Sequence, residues 1–183
     1  MNNKFEEKTI KTDTIFEGRI ITVQVEEVEL PNGSVSTREI VRHPGAVCVL
    51  ALKGDRMLVV EQYRKALGRS QVEIPAGKLE PGEDPEAAIR RELEEETGYS
   101  CVQLRRLHSF YTSPGFADEL IHLYLAEDLK AGEARPDEDE FLEVEELTFD
   151  EAKRYIAEGR ISDAKTIMAV YAWQVYRITG EAQ

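Results

Sequence analysis

The sequence runs to 183 residues with a formal net charge of -13, 42% hydrophobic and 32% charged. That length suits one domain with a modest appendage and can bury a real core. The charge argues against nucleic acid or an anionic membrane as partner, since both would be repelled, but leaves room for an anionic small molecule that recruits cations.

In chain order, the opening MNNKFEEKTIKTDTIF is polar and has no apolar signal core. No apolar run approaches the roughly 20 residues that span a bilayer. Cys48 lies inside an apolar run and reads as a buried thiol, and with Cys101 it shows no metal-ligand spacing. These features predict a reduced, cytoplasmic setting.

Ile21, Val23 and Val25 alternate with polar residues, the mark of a half-buried strand. Asn32-Gly33 predicts a tight turn and residues 34–41 the return strand. Residues 46–52 form an almost continuous apolar run and read as a central buried strand. Gly54-Asp55 turns the chain into a strand at 57–63, and another is expected at 71–74. His43-Pro44-Gly45 separates an N-terminal β-strand unit, residues 1–43, from a main domain, residues 44–183.

A helix is predicted to start at Asp84, a good N-cap followed by Pro85, and to stop at Gly98. Strands are expected at 101–110, 120–126 and 141–147, with a charged loop AGEARPDEDE between the last two. Helices are expected at 150–158 and 162–178, the second burying Ile167, Val170, Tyr171, Val175 and Ile178. The fold class is α+β.

The predicted first helix ends on Glu92, Glu94, Glu95 and Glu96, although a helix C-terminus favours cations. Glu92 lies three residues from Glu95 and four from Glu96, so these carboxylates share a face and can converge, while Glu94 points elsewhere. Like charges at that spacing cost roughly 0.2–0.5 kcal/mol. The helix-end field adds up to about 1 kcal/mol. Arg91 offsets part of this, but stability alone accounts poorly for the cluster. A hard dication held by carboxylates, water and substrate phosphates accounts for it better.

Gly77, Glu83, Arg91-Glu92-Leu93, Glu95-Glu96 and Gly98-Tyr99 fit the pattern G-x5-E-x7-R-E-U-x-E-E-x-G-U, where U is bulky and apolar. This resembles the Nudix box, with Tyr99 standing where an aliphatic residue is commoner. The resemblance implies the Nudix fold, a mixed β-sheet sandwiched between helices, here preceded by an antiparallel hairpin unit. It also implies Mg²⁺-dependent hydrolysis of a nucleoside diphosphate linked to another group. Two or three ions are implied, with Mn²⁺ a possible substitute. Glu92, Glu96 and the Ala76 carbonyl are then metal ligands, and Glu95 a third or bridging ligand with a part in catalysis. Gly77, Glu83, Arg91 and Gly98 shape and brace the box.

Pro114, fifteen residues beyond Tyr99, and the run EQYRKALGRSQVEIPAGK resemble the ADP-ribose pyrophosphatase subgroup. By that likeness the substrate is ADP-ribose, and Arg64, Glu73, Pro114 and Gly115 are substrate contacts. Arg64 takes phosphate or ribose through its planar fork, and Glu73 takes the adenine or ribose end. The loop RPDEDEFLEV places Glu138 as the base for the attacking water and Glu140 near the metals; a one-residue shift would select Asp137 and Asp139. The loop needs enough mobility to close over substrate. The subgroup implies a homodimer in which Arg38 reaches the partner's substrate. Tyr63, Tyr111 and Phe116 are candidates to stack on adenine. The alternatives are GDP-mannose, another nucleotide sugar or a dinucleoside polyphosphate as substrate, and, from another class, a non-catalytic nucleotide-sensing module.

Overall fold

Strand β4 (Ala46–Lys53) is buried on both faces, and the two faces feed different cores. Cys48, Leu50 and Leu52 enter one; Val47, Val49 and Ala51 enter the other, as a period of two requires. Strands β5 (Arg56–Arg64) and β9 (Leu120–Ala131) divide the same way, with Met57, Val59, Leu123 and Leu125 on one side and Leu58, Tyr124 and Ala126 on the other. Strands buried on both faces need a cover on each. Helix α1 (Pro85–Thr97) brings Ala88, Ile89 and Leu93 to one face. Helices α2 (Phe149–Ala157) and α3 (Ala164–Thr179) bring Ala152, Ala169, Val170 and Trp173 to the other. The outcome is the expected α+β arrangement, a mixed sheet between helices.

The computed structural model describes residues 4–136 and 140–180, which divide into two compact units. In the larger, the strand order is β10 (Leu142–Thr148), β5, β4, β9, β8 (Tyr99–Tyr111). Strand β6 (Arg69–Glu73) pairs with β5 and β7 (Ala76–Lys78) with β4. β4 and β9 run parallel, while β4 is antiparallel to β5 and β7, and β5 to β6 and β10. Among the described residues no helix is long and apolar enough to cross a membrane.

The smaller unit joins the described residues up to Gly45 with Tyr111–Leu120. Its sheet is antiparallel, in the order β1 (Lys8–Glu17), β2 (Thr22–Glu29), β3 (Val35–Arg42). The β2–β3 turn has Gly33 in the left-handed region at φ 82°, and Asn32 accepts from the Ser34 N–H at 3.0 Å. Ile10, Ile15, Phe16 and Val35 are exposed on this sheet.

The structure adds two strands and corrects one expectation. The polar N-terminal stretch forms β1, although all ten of its residues are exposed, because it pairs through its backbone with β2. β7 has no apolar pattern and exists through its backbone pairing with β4. Helix α3 is rotated from the expected face: it buries Thr166, Ala169, Val170 and Trp173 and leaves Tyr171, Val175 and Ile178 exposed. Edge-on packing of Trp173 against Phe149, with ring centroids 5.4 Å apart, and a hydrogen bond from the Ile74 N–H to Thr166 fix that face.

Candidate active site

Helix α1 begins and ends as its sequence demands. The Asp84 carboxylate accepts from the Ala87 N–H at 3.0 Å, Pro85 opens the first turn, and Gly98 closes the last at φ 74°. Ala88, Ile89 and Leu93 press on β4, which fixes the direction of the neighbouring carboxylates. Glu96 is 2% exposed and accepts from the Ala76 N–H at 3.0 Å, tying the helix to β7.

Gly77 is required by contact. A Cβ there would lie 1.9 Å from the Glu92 carboxyl carbon, so the strand passes directly over that carboxylate. The Glu92 side chain is 13% exposed. Burial, opposed by Arg91, and the negative charges of Glu95 and Glu140 push its pKa up. Glu96 is pushed up to about 8, first by burial and then by Glu140 and Glu92, against the Ala76 hydrogen bond and the Arg64 charge.

Arg91 is the cation of this cluster. Its Nη1 donates to Glu92 at 2.8 Å and to Glu95 at 3.0 Å, and its fork meets Glu83 at 3.2 Å. Glu83 also accepts from the Glu80 N–H at 3.0 Å, which holds the loop before the helix and lowers the Glu83 pKa. The three carboxylates share the end of α1 and are held by different partners: Glu92 and Glu95 are drawn to Arg91 and Glu96 to the Ala76 amide.

The charged loop is fastened to the end of α1 by main chain. The Gly132 N–H donates to the Gly98 carbonyl at 2.7 Å, and the Arg135 N–H to the Glu95 carbonyl at 2.8 Å. Carbonyls left open at a helix C-terminus gain donors in this way, a feature the loop's side chains do not announce. Glu138, with Asp137 and Asp139, lies outside the described residues. Glu140 is described, and its charge acts on both Glu92 and Glu96.

Arg64 and Glu73, expected as separate contacts, are paired: Nε to Oε1 at 2.7 Å and Nη2 to Oε2 at 2.8 Å. Glu73 is 3% exposed, its carboxylate taken by Arg64 and by Lys165, which the sequence reading missed. Its only sequence signal is a lysine two residues after the helix-capping Asp163. Burial pushes the Glu73 pKa up, but Arg64 and Lys165 outweigh it and hold it below its ordinary value.

Arg38, Pro114 and Gly115 belong to the smaller unit. Arg38 is engaged by Glu7 at 2.6 Å. Pro114 and Gly115 lie in a turn where the Phe116 and Ala117 N–H groups donate to the Ser113 carbonyl. Tyr63, Tyr111 and Phe116 are exposed. His122 Nδ1 and the Ser109 hydroxyl are hydrogen-bonded at 2.7 Å.

The model of the NUDIX domain matches residues 41–170, and that of the nucleoside diphosphate sugar hydrolase N-terminal domain matches residues 7–41. The chain belongs to the Nudix family. It is a Nudix hydrolase, and Nudix enzymes generally use divalent metal ions. A relative from Bacillus methanolicus called a methanol dehydrogenase activator is 61% identical over 178 residues, 96% of either chain. A relative from Bacillus subtilis (strain 168) called an ADP-ribose pyrophosphatase is 53% identical, covering 93% of this Nudix chain and 94% of its own. A solved structure described as an ADP compounds hydrolase superposes with a TM-score of 0.84 at 20% identity, with 96% of each chain covered, which supports the fold.

Proposed function

We propose that this Nudix hydrolase cleaves the pyrophosphate of ADP-ribose to AMP and ribose 5-phosphate, with Mg²⁺ as its working ion. The observation that carries the substrate is the 53% identity, across nearly the whole chain, to a relative called an ADP-ribose pyrophosphatase. The donor set around Glu96 fits a hard dication: the candidate ligands are all oxygens, and the repulsion among Glu92, Glu96 and Glu140 is relieved by positive charge. Glu92, Glu96 and the Ala76 carbonyl would hold the first ion, with Glu95 as a third or bridging ligand and Glu140 beside them. Two or three ions would be held, and Mn²⁺ would substitute. Bound metal neutralises a pyrophosphate and lowers the pKa of coordinated water.

The remaining work falls to the chain's own groups. Glu138 takes the proton from the attacking water, with Asp137 and Asp139 the alternatives. Arg64 contacts phosphate or ribose. Gly77 keeps the strand clear of Glu92, while Glu83 and Arg91 brace the box. The N-terminal unit, residues 1–43, pairs two copies into a homodimer in which Arg38 reaches the partner's substrate; residues 44–183 form the hydrolase domain, with Pro114 and Gly115 as substrate contacts. The setting is cytoplasmic.

Hydrolysis of ADP-ribose in ¹⁸O-water, with mass analysis of both products, tests substrate and attack site together. A panel with GDP-mannose and a dinucleoside polyphosphate compares kcat/KM; a clear preference for either over ADP-ribose sinks the substrate reading. A second reading rests on the relative at 61% identity, whose name implies stimulation of a dehydrogenase. It is tested by adding the protein to a methanol dehydrogenase assay and looking for a rise in rate.

A further inference from the structure

A buried polar chain runs from the start of α3 to the end of β5. Asp163 caps α3: its Oδ1 accepts from the Thr166 N–H at 3.0 Å and from Lys165 Nζ at 3.0 Å. Lys165 also donates to Glu73 Oε2, and Glu73 takes the two Arg64 bonds. The Lys165 and Glu73 side chains are 13% and 4% exposed, whereas Arg64 is 40% exposed. Arg64 therefore presents the solvent end of the chain. Its Nη1 has no hydrogen-bond partner among the described residues.

Burying a lysine costs desolvation and side-chain freedom. Burial pulls the Lys165 pKa down, but Asp163 and Glu73 outweigh it, so the ammonium stays charged. Glu73 could be satisfied by the Arg64 fork alone, so its pairing leaves Lys165 unexplained. Charge supplies the explanation. Asp163, Lys165, Glu73 and Arg64 sum to zero; without Lys165 they carry one net negative charge beside a site that must admit a pyrophosphate.

We infer that Lys165 is a positioning residue: it shares the charge of Glu73, so that Glu73 orients the Arg64 guanidinium without cancelling its attraction for substrate phosphate. This rests on Arg64 being the phosphate contact proposed above. Lys165 acts on substrate only through Arg64.

The test is a double-mutant cycle on ADP-ribose hydrolysis with Lys165→Met, Arg64→Met and the double variant. Lys165→Met is expected to raise KM about tenfold with kcat within about threefold, and to add less than about twofold in the Arg64→Met background. Lys165→Arg should recover most of the lost KM. Equal losses in both backgrounds, or a fall in kcat at unchanged KM, overturns the inference. If Lys165→Met does not fold, Lys165→Gln takes its place in both backgrounds. Should the wild type spare ADP-ribose and cleave another member of the panel, the substrate reading fails, and the same cycle on that compound still decides the role of Lys165.

Discussion

Two clusters of buried and half-buried charge, one at the end of α1 and one at the start of α3, are balanced differently. Around Gly77, Arg91 faces Glu83, Glu92 and Glu95, while Glu96 and Glu140 add charge nearby. At the start of α3, Lys165 and Arg64 face Glu73 and Asp163, two cations to two carboxylates. The second cluster balances its charge within the chain, although Asp163 Oδ2 is buried with no hydrogen-bond partner among the described residues. The first is short of positive charge, and its most buried carboxyl is pushed up to about 8, first by burial and then by the charges of Glu140 and Glu92. A folded protein tolerates such a deficit where a ligand supplies the missing charge. On the proposed function, the contrast separates a site that binds from a site that holds its neighbour in place.

The largest way to sharpen the contrast is to remove one carboxylate from the deficient cluster. Glu92→Gln is expected to lower kcat/KM about a thousandfold or more while the metal-free Tm holds or rises, since repulsion is relieved. Full activity in that variant ends the metal assignment. Breaking the balanced cluster should do the reverse. Glu73→Gln leaves the buried Lys165 short of a counter-ion and should destabilise the fold by about 3 kcal/mol, read by urea unfolding. A change below about 0.5 kcal/mol would remove the distinction between the clusters. Gly77→Ala pushes a methyl into Glu92 and should cost about tenfold in kcat/KM with little change in Tm.

The pH response is the mildest test and has opposite signs in the two places. The Glu96 carboxyl is raised from 4.5 to about 8, so the metal-free fold is most favoured below 4.5 and loses this contribution as pH rises toward 8. The Glu73 carboxyl is held below 4.5, so its contribution is present above that value and fades as pH falls through the folded one. Unfolding followed from pH 4 to 9 should therefore show stability declining between about 4.5 and about 8, and saturating Mg²⁺ should flatten that decline. A decline unmoved by metal would detach Glu96 from the ion.

Much of this was legible in the sequence where local chemistry decides the outcome. Asp84, Pro85 and Gly98 announce both ends of α1, and residue spacing puts Glu92, Glu95 and Glu96 on it. The central strand was visible because burial on both faces leaves an unbroken apolar run. What escaped depends on distant partners. β1 is exposed throughout and is held by β2, so no apolar face marks it. The face of α3 is not fixed by its pattern, because apolar side chains surround it and contacts to Phe149 and Ile74 select among them. Lys165 was missed because its partner Glu73 lies 92 residues away in sequence.

The docking of the charged loop has a consequence for sequence change. Residues 132 and 135 grip α1 with amide hydrogens rather than side chains. At 135 that attachment is therefore indifferent to almost any amino acid that keeps an N–H, whereas a Cβ at Gly132 would lie 3.0 Å from the Gly98 carbonyl oxygen. Substitutions at Glu133 and Arg135 can accumulate while the path of the chain off the helix end stays fixed. Proline at 132 or 135 is the exception, since it alone deletes a donor, and Gly98 must stay small because a Cβ there would lie 2.6 Å from the Ala134 nitrogen.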